Sequence, residues 1–315
     1  MRALATTGLQ VHPLCLGGNV FGWTADEAAS FAVLDRYREA GGNFLDSADM
    51  YSSWAPGNEG GESETIIGRW IADRGVRDEM VIATKVGMHD DAGLGNLKPD
   101  TVARACDASL RRLGVERIDL YYVHRDDEDV PLQESLGAFD ALVRAGKIAA
   151  VGVSNVSAER LRAMIAVTQQ EGYTPISALQ PRYNLLDREE FEGELQDLCV
   201  EHGIACVPYH GLAMGFLTGK YRRDSAAEDI GSPRAESAIE AYGTQERAWK
   251  TLDLVIEIAA AHDVAPAAVA LAWVAAQEAV VAPIASARNV EQLEDLLAMA
   301  DLQLSEDELA ALSAA

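Results

Sequence analysis

Short apolar runs alternate with longer segments of helical periodicity along the chain, and this alternation limits the fold more than any other feature. The strand candidates are, in order, PLCLG, NFLD, MVIATK, IDLYYVH, IAAVGVS, ISALQ, IACVPY and VVAPI. Strands separated by helices pair in parallel through right-handed crossovers, and eight such units close into a barrel. The sequence therefore predicts an α/β fold, a (β/α)8 TIM barrel, with residues 1–315 as a single domain.

A doubly wound open sheet is the alternative arrangement of the same elements. It is disfavoured because no G-x-G-x-x-G follows the first strand candidate. Capping-box spacing predicts helix starts at three places, and glycine predicts helix ends at four. The pairs are Thr24 with Glu27, Asn289 with Gln292 and Ser305 with Glu308, and the glycines are Gly41, Gly114, Gly146 and Gly203.

The least regular part of the chain is residues 222–244, a polar and charged segment that contains Gly and Pro. It follows the seventh strand candidate as a long loop, and its length is unusual for a connection inside a compact domain. Two interpretations stay open for this loop, a lid over a site and a disordered connection.

The formal net charge of −24 makes nucleic acid and anionic membranes poor partners, because both would repel the chain. No eighteen consecutive apolar residues occur, and the first residues lack a run of signal-peptide length. We therefore expect a cytoplasmic protein, monomeric or homo-oligomeric, whose partner is a small molecule. The cysteines have no metal-binding spacing, so we expect no metal site and reduced core residues at Cys15, Cys106, Cys199 and Cys206.

In a barrel of this kind, catalytic side chains come from the C-terminal ends of the strands. Asp46, Lys85 and His124 end the second, third and fourth strand candidates, and Tyr51 lies in the loop after Asp46. Asp, Tyr and His at such positions also have ordinary structural roles in caps, packing and the core. Lys85 is different, because an ammonium that ends an apolar strand needs an anionic partner, and Asp46 on the neighbouring strand is the obvious one.

A lysine–aspartate pair beside a phenol has a chemical use. An adjacent ammonium stabilises phenolate, so we expect Lys85 to lower the pKa of Tyr51 from its ordinary value of about 10. Tyr51 would then donate a proton to a carbonyl oxygen as negative charge develops there. His124 would donate a second hydrogen bond to the same oxygen. Such a site also needs a reductant.

Seven motifs carry a resemblance to one enzyme family: FLDSADMY, ATKVG, LYYVHR, VGVSN, ALQPRYNLL, PYHGLAMGFLTGKY and PIASARNVEQLEDLL. In their order and content the chain resembles the aldo-keto reductases, from about residue 1 to residue 312. The resemblance implies NADP(H) as the cofactor. It also implies Asp46, Tyr51, Lys85 and His124 as the catalytic residues, with Tyr51 as general acid.

A cofactor site is implied by the same resemblance. Tyr209 would stack on the nicotinamide ring and fix the face turned to the substrate, although barrel packing alone also explains it. Ser286 and Arg288 precede a helix start and would hold the 2′-phosphate, whereas Arg288 taken alone would be a surface charge. The other implied contacts are Ser154, Asn155 and Gln180 to the carboxamide, Gln292 near the adenine, and Leu212, Gly215 and Lys220.

The chain departs from the family pattern in three places. Leu296 stands where the family often has asparagine, so adenine recognition either loses a polar contact or replaces it. His210 and Gly211 replace a serine and a proline after the stacking tyrosine, so His210 is either a substrate contact or a solvent-facing residue. Ser47 replaces the family's threonine after the catalytic aspartate.

Candidates for the substrate pocket combine flat apolar walls with polar groups. Such a mixture suits a polyol, a sugar-like carbonyl or an aromatic ketone, and the fold alone does not choose among them. The candidates are Trp23, Trp54, Arg125 and His210.

The sequence thus predicts an NADPH-dependent oxidoreductase that reduces an aldehyde or ketone, with the hydride from nicotinamide and the proton from Tyr51. A sugar or alcohol dehydrogenase working in the oxidative direction is the closer alternative, because the same residues run in reverse. A non-catalytic nucleotide-sensing subunit is more distant, since the four catalytic residues are intact. A metal-dependent hydrolase is disfavoured because the first strand reads LCLGGNV, without an H-x-H pair.

Overall fold

The computed structural model describes residues 1–89, 95–224 and 226–315. Its main sheet has eight parallel strands, each paired with the next one along the chain. A short antiparallel hairpin precedes it, formed by β1 (Arg2–Ala3) and β2 (Gln10–Val11). The strands of the main sheet are β3 (Cys15–Gly17), β4 (Phe44–Asp46), β5 (Val81–Val86), β6 (Ile118–Val123), β7 (Ile148–Ser154), β8 (Ile176–Gln180), β9 (Ala205–Cys206) and β10 (Ile284–Ala285).

Backbone hydrogen bonds bring the two ends of this sheet together. The amides of Val281 and Ile284 donate to the carbonyls of Cys206 and Pro208, both at 2.8 Å. On its other side β10 pairs in parallel with β3. Six of these eight strands lie within the predicted runs, and β5 and β10 each extend one residue beyond theirs. The predicted (β/α)8 barrel is therefore confirmed.

Helices follow the strands and pack against their neighbours around the sheet. In the described part of the chain no single helix is long and apolar enough to cross a membrane. The helices are α1 (Glu27–Glu39), α2 (Glu62–Arg74), α3 (Pro99–Leu113), α4 (Leu132–Arg144), α5 (Ala158–Glu171), α6 (Glu194–His202), α7 (Ala235–Ala238), α8 (Glu246–His262), α9 (Pro266–Ala275), α10 (Val290–Leu297) and α11 (Glu306–Ala314).

Of the three predicted capping boxes, only the one before α11 is complete, with Ser305 and Glu308 exchanging both hydrogen bonds. Before α10, Asn289 accepts from the amide of Gln292, but the Gln292 side chain accepts from the amide of Arg288 instead. The box predicted before α1 was wrong.

The N-cap of α1 is Asp26, whose carboxylate accepts from the amide of Ala29 at 2.8 Å. Aspartate is a strong N-cap, and here it stands directly before the first helical residue. Thr24 lies too early in the chain to serve the same amides. Gly114 and Gly203 cap α3 and α6 in the left-handed conformation, as their positions predicted.

Side chains fill the barrel interior, and the hairpin covers its N-terminal end. Leu4 and Val11 from the hairpin are fully buried in the same apolar cluster as the strand-starting residues Cys15, Phe44 and Val81. A larger cluster lies between the strands and the helices. All four cysteines are buried and unpaired, as predicted. The C-terminal end of the barrel is therefore the end left for a ligand.

The segment 222–244 follows β9 and contains short helical turns, apart from residue 225, which lies outside the described residues. It holds a 3-10 helix at Ala227–Ile230, then α7, then a π-helical turn at Ile239–Gly243. Buried Tyr242 fastens it to the barrel: its hydroxyl donates to Asp187 Oδ2 at 2.6 Å and accepts from Arg182 at 3.0 Å. A folded cover therefore describes the segment better than a disordered connection.

Candidate active site

Lys85 enters the barrel because side chains alternate between the two faces of β5. Ala83 belongs to the interior cluster. Thr84 points to the helix side and donates a hydrogen bond to Glu64 on α2 at 2.6 Å. Lys85 points back to the interior and has no exposed surface. An apolar strand thus carries a fully buried ammonium.

Three oxygens surround this ammonium. Lys85 Nζ donates to Asp46 Oδ2 at 2.6 Å, to the carbonyl oxygen of Ser47 at 2.6 Å and to Tyr51 Oη at 2.9 Å. Asp46 ends β4, next to β5, and is 1% exposed. The anionic partner predicted for Lys85 is therefore in contact with it, and the phenol shares the same ammonium.

The electrostatics of Tyr51 differ from the prediction. Burial raises the pKa of Tyr51 to about 12, and although Lys85 opposes this, Asp46 adds to it. Lys85 therefore acts in the predicted direction, but the predicted net pKa below the ordinary value is wrong, because desolvation of the phenolate outweighs the nearby ammonium. For Lys85, burial favours the neutral amine, but the charges of Asp46 and Tyr51 outweigh it and raise the pKa of the ammonium.

His124 follows β6 and lies beside this group, with its ring centroid 6.1 Å from that of Tyr51. It is 7% exposed, and Nδ1 has no hydrogen-bond partner among the described residues. Burial, then the charges of Lys85 and Arg125, hold the pKa of His124 well below its usual range. The imidazole is therefore neutral at pH 7 and able to donate one hydrogen bond.

Buried polar groups of the next strands continue from Asp46. Gln180, at the end of β8, donates from Nε2 to Asp46 Oδ1 at 2.9 Å. The hydroxyl of Ser154, at the end of β7, donates to the carbonyl oxygen of Gln180 at 2.7 Å. Both side chains are almost fully buried. They tie the aspartate to the opposite side of the barrel.

Asn155 links the histidine to the aromatic ring predicted to stack on nicotinamide. Its Nδ2 donates to the carbonyl oxygen of His124 at 2.8 Å, and its Oδ1 accepts from the hydroxyl of Tyr209 at 2.8 Å. Its backbone has a φ of 55°, in the left-handed region that asparagine tolerates better than most residues. This conformation turns the side chain toward the cavity.

One cavity of about 610 Å³ opens at the C-terminal end of the barrel. Every predicted site residue lines it except Asp46 and Lys85, which are buried behind Tyr51. The sequence missed other lining residues because nothing in their local pattern marks them. They include Asn19, Met88, Met214, Thr218 and Arg234.

The end of the cavity beside β10 is cationic. The hydroxyl of Ser286 donates to Asn19 Oδ1 at 2.6 Å. A Cβ on Gly17 would lie 2.6 Å from that hydroxyl oxygen, so a larger residue there would displace the serine. Arg288 and Lys220 have no ion pair among the described residues. Partial desolvation, followed by the charge of Arg288, lowers the pKa of Lys220. The two cations are therefore close enough to repel each other.

The other end of the cavity is aromatic. Trp54 is 42% exposed and packs edge-on against Trp23 at 5.6 Å and against Tyr51 at 6.1 Å between ring centroids. His210 also lines the cavity, and burial, followed by the charges of Arg234 and Arg182, lowers its pKa to about 4. His210 is therefore a neutral side chain in the cavity wall. This position favours a substrate contact over a solvent-facing residue. Arg125 is exposed on the rim.

Comparison with known proteins agrees with this geometry. The family model described as the Aldo/keto reductase family matches residues 13–315. The chain is 35% identical to the aldo-keto reductase yakc of Schizosaccharomyces pombe, whose name specifies NADP(+), over 93% of this chain and 84% of that protein. It is 30% identical to an aryl-alcohol dehydrogenase of Pestalotiopsis microspora, over 98% of this chain and 80% of that protein.

A third relative is the L-glyceraldehyde 3-phosphate reductase of Escherichia coli O157:H7, at 31% identity over 98% of this chain and 90% of that protein. The family match covers nearly the whole chain, and the relatives match over most of their own length. The chain therefore belongs to the aldo/keto reductase family and is an oxidoreductase.

Proposed function

We propose that this oxidoreductase reduces an aldehyde or ketone with NADPH and that Tyr51 supplies the proton. One observation carries the proposal. Lys85 Nζ lies 2.6 Å from Asp46 Oδ2 and 2.9 Å from Tyr51 Oη, at the buried side of a cavity lined by Tyr51 and His124. An acid, a cation that stabilises its conjugate base, and a neutral hydrogen-bond donor thus meet at one point.

NADP(H) is the cofactor of this family, and the cavity has suitable groups for it. At the β10 end, the cations Arg288 and Lys220 suit phosphate oxygens. Near Tyr51, the amide and hydroxyl groups of Asn155, Gln180 and Ser154 suit a carboxamide. When bound, the cofactor supplies a hydride to the carbonyl carbon. Tyr209 also lines the cavity and offers a flat face for the nicotinamide.

The protein's own part in the reaction is the movement of one proton. At neutral pH Tyr51 is protonated, since burial raises its pKa to about 12. As negative charge develops on the substrate oxygen, Tyr51 donates its proton, and the phenolate that forms is held by Lys85. His124, held neutral, donates a second hydrogen bond to the same oxygen. Asp46 keeps Lys85 charged throughout.

Oxidation of an alcohol is the second candidate, because each proton step is reversible and Tyr51 then acts as base. One relative is named an aryl-alcohol dehydrogenase, and this name supports alcohol oxidation as the second candidate. A nucleotide-sensing subunit without catalysis is disfavoured, because binding a nucleotide does not require the hydrogen-bonded group of Asp46, Lys85 and Tyr51.

The proposal is tested by following NADPH absorbance with a panel of aldehydes, ketones and sugars, in both directions. We expect NADPH consumption with at least one carbonyl class and its near loss in Tyr51→Phe. Consumption that is equal in wild type and Tyr51→Phe would contradict the proposed chemistry. NADH run in parallel measures the preference for the 2′-phosphate.

We further propose that the enzyme is cytoplasmic and acts on free small molecules, as a monomer or homo-oligomer. Four unpaired cysteines favour a reducing compartment. The net charge of −24 disfavours contact with nucleic acid or anionic lipid. Size-exclusion chromatography with light scattering measures the oligomeric state.

A further inference from the structure

Arg234 enters the cavity from the segment that covers it. It directly precedes α7; its amide donates to Ser232 Oγ at 3.4 Å and its carbonyl accepts from Ala238 at 2.9 Å. The side chain is partly buried, and its guanidinium carbon lies 5.9 Å from the ring centroid of Trp23. Arg234 therefore stands on the aromatic side of the cavity, away from the phosphate-binding end.

The guanidinium of Arg234 has no ion pair among the described residues. Other arginines of this region do have one: Arg223 pairs with Glu246 at 2.8 Å and Arg182 with Asp187 at 3.0 Å. Moving a guanidinium away from water is costly without an anion. The contact with Trp23 is close to the distance limit of a cation–π interaction and offsets only a part of that cost.

Like Arg234, most of the charged side chains that line the cavity are positive. Among the described residues that line it are four cationic side chains and one carboxylate, in a protein with a net charge of −24. The carboxylate, Asp295, and two of the cations belong to the cofactor end. Arg125 and Arg234 belong to the aromatic end, where no carboxylate lines the described part of the wall.

Arg234 also acts electrostatically on the groups nearest the chemistry. The charge of Tyr51 favours the charged form of Arg234, although burial has the larger effect and lowers the pKa of the guanidinium. Arginine nevertheless stays charged at pH 7. The pKa of His210 is lowered to about 4. Burial is the largest cause of this shift, and the charge of Arg234 is the second. One permanent cation thus faces the space between two neutral side chains, Tyr51 and His210.

We propose that Arg234 binds an anionic group of the substrate, a carboxylate or a phosphate, so that the enzyme prefers negatively charged aldehydes or ketones. The inference rests on the proposed function and specifies its substrate class. The carbonyl oxygen lies at Tyr51, the anion at Arg234, and the part between them packs on Trp54 and Trp23. A planar fork of donors suits either anion, because both present paired oxygens.

The test compares 4-carboxybenzaldehyde with its methyl ester, which has the same ring and aldehyde but no charge. 4-Formylphenyl phosphate is the phosphate arm. The variants are Arg234→Met, Arg234→Lys and the control Arg223→Met, which removes an arginine of the same segment that does not line the cavity. Arg125→Met tests the second arginine of the aromatic end.

We expect Arg234→Met to lower kcat/KM for the carboxylate about ten- to a hundredfold, the range of a charge-assisted hydrogen bond. The ester should change less than about threefold, Arg234→Lys should keep part of the preference, and Arg223→Met should match wild type. The larger loss, with carboxylate or with phosphate, identifies the anion. Equal losses for acid and ester, no preference for the anions in wild type, or loss of the preference in Arg125→Met alone would overturn the inference.

A binding measurement separates this inference from the proposed function. Calorimetry measures benzoate and benzamide binding to wild type and Arg234→Met, with and without NADP+. If no aldehyde consumes NADPH, the proposed function fails, but benzoate binding that depends on Arg234 still supports the anion site. Benzoate binding that is the same in both proteins contradicts the site even where the reductase activity is present.

Discussion

The ammonium of Lys85 lies 2.9 Å from the phenol oxygen of Tyr51, and the lysine has no exposed surface. Burial nevertheless raises the pKa of Tyr51 to about 12. The resting phenol therefore keeps its proton at neutral pH. The interaction between Lys85 and Tyr51 is strongest when the proton has left and Tyr51 is a phenolate. The contact therefore stabilises the state that forms during the reaction.

Asp46 and Lys85 should be strongly coupled in a double-mutant cycle. Lys85→Met and Asp46→Asn each leave the partner buried without its counter-charge, so each should lower kcat/KM and stability sharply, and the double variant should lose less than their sum. We expect a coupling of about 1–3 kcal/mol, from kcat/KM and from urea unfolding of the four proteins.

The exposed pair Arg223–Glu246, at 2.8 Å, is the control cycle. Surface pairs of this kind couple by no more than about 1 kcal/mol. A buried cycle with no more coupling than this surface pair would show that Lys85 and Asp46 do not act on each other.

Asp49 should make stability depend on pH. It is 5% exposed, and burial, followed by the charge of Glu64, raises its pKa to about 7. In the unfolded chain the pKa of this carboxyl has the ordinary value of about 3.9, so the folded state binds the proton more tightly. The stabilisation is complete below about pH 4 and is lost as pH rises through about 7.

Asp49→Asn removes this ionisation. Relative to wild type, the variant should gain about 2–3 kcal/mol of unfolding free energy between about pH 5 and pH 8. Urea unfolding at both pH values measures it, with Asp197→Asn, an exposed aspartate on α6, as control. A difference between Asp49→Asn and wild type that does not change with pH would mean that Asp49 ionises normally.

Arg288 should discriminate NADPH from NADH. A guanidinium presents paired donors to phosphate oxygens, and a 2′-hydroxyl gains little from it. Arg288→Ala should weaken NADPH binding about ten- to a hundredfold and change NADH binding only a few-fold. Leu296, buried and without a polar group for adenine, increases the share of affinity that depends on the phosphate.

Fluorescence titration with both cofactors measures this preference. Arg69→Ala is the matched control, because it removes an exposed arginine of α2 that pairs with Glu27 and does not line the cavity. Equal losses for NADPH and NADH in Arg288→Ala would show that Arg288 supports the loop before α10 and not the phosphate.

The position of Lys85 could be predicted from sequence because it depends on one local rule. Alternation along β5 places every second side chain inside, and an apolar strand that ends in lysine implies an anion on the next strand. The barrel was predictable for a similar reason, since each strand run has its own helix. The hairpin formed by β1 and β2 was not predictable, because strands of two residues have no periodicity.

Other features depend on distances that no local pattern contains. The pKa of Tyr51 is a balance between burial, Lys85 and Asp46, and the sequence shows which groups are present but not which effect is larger. Arg234 lies in a segment without clear periodicity. The contact of Tyr242 with Asp187, which helps to hold that segment on the barrel, joins residues 55 positions apart. The N-cap of α1 was missed because the prediction followed the capping-box spacing of Thr24 and Glu27, whereas Asp26 stands directly before the helix.

Tyr51→Phe is the sharpest test of Tyr51 as the general acid, because it removes the proton donor and keeps the ring. The measurement is kcat for NADPH-dependent reduction of the best carbonyl substrate, with the Kd of NADPH determined on the same protein by fluorescence titration. We predict that kcat falls by about 10²–10⁴ while the Kd of NADPH stays within about threefold. If Tyr51→Phe retains more than about a tenth of the wild-type kcat, Tyr51 is not the acid and the proton comes from another group.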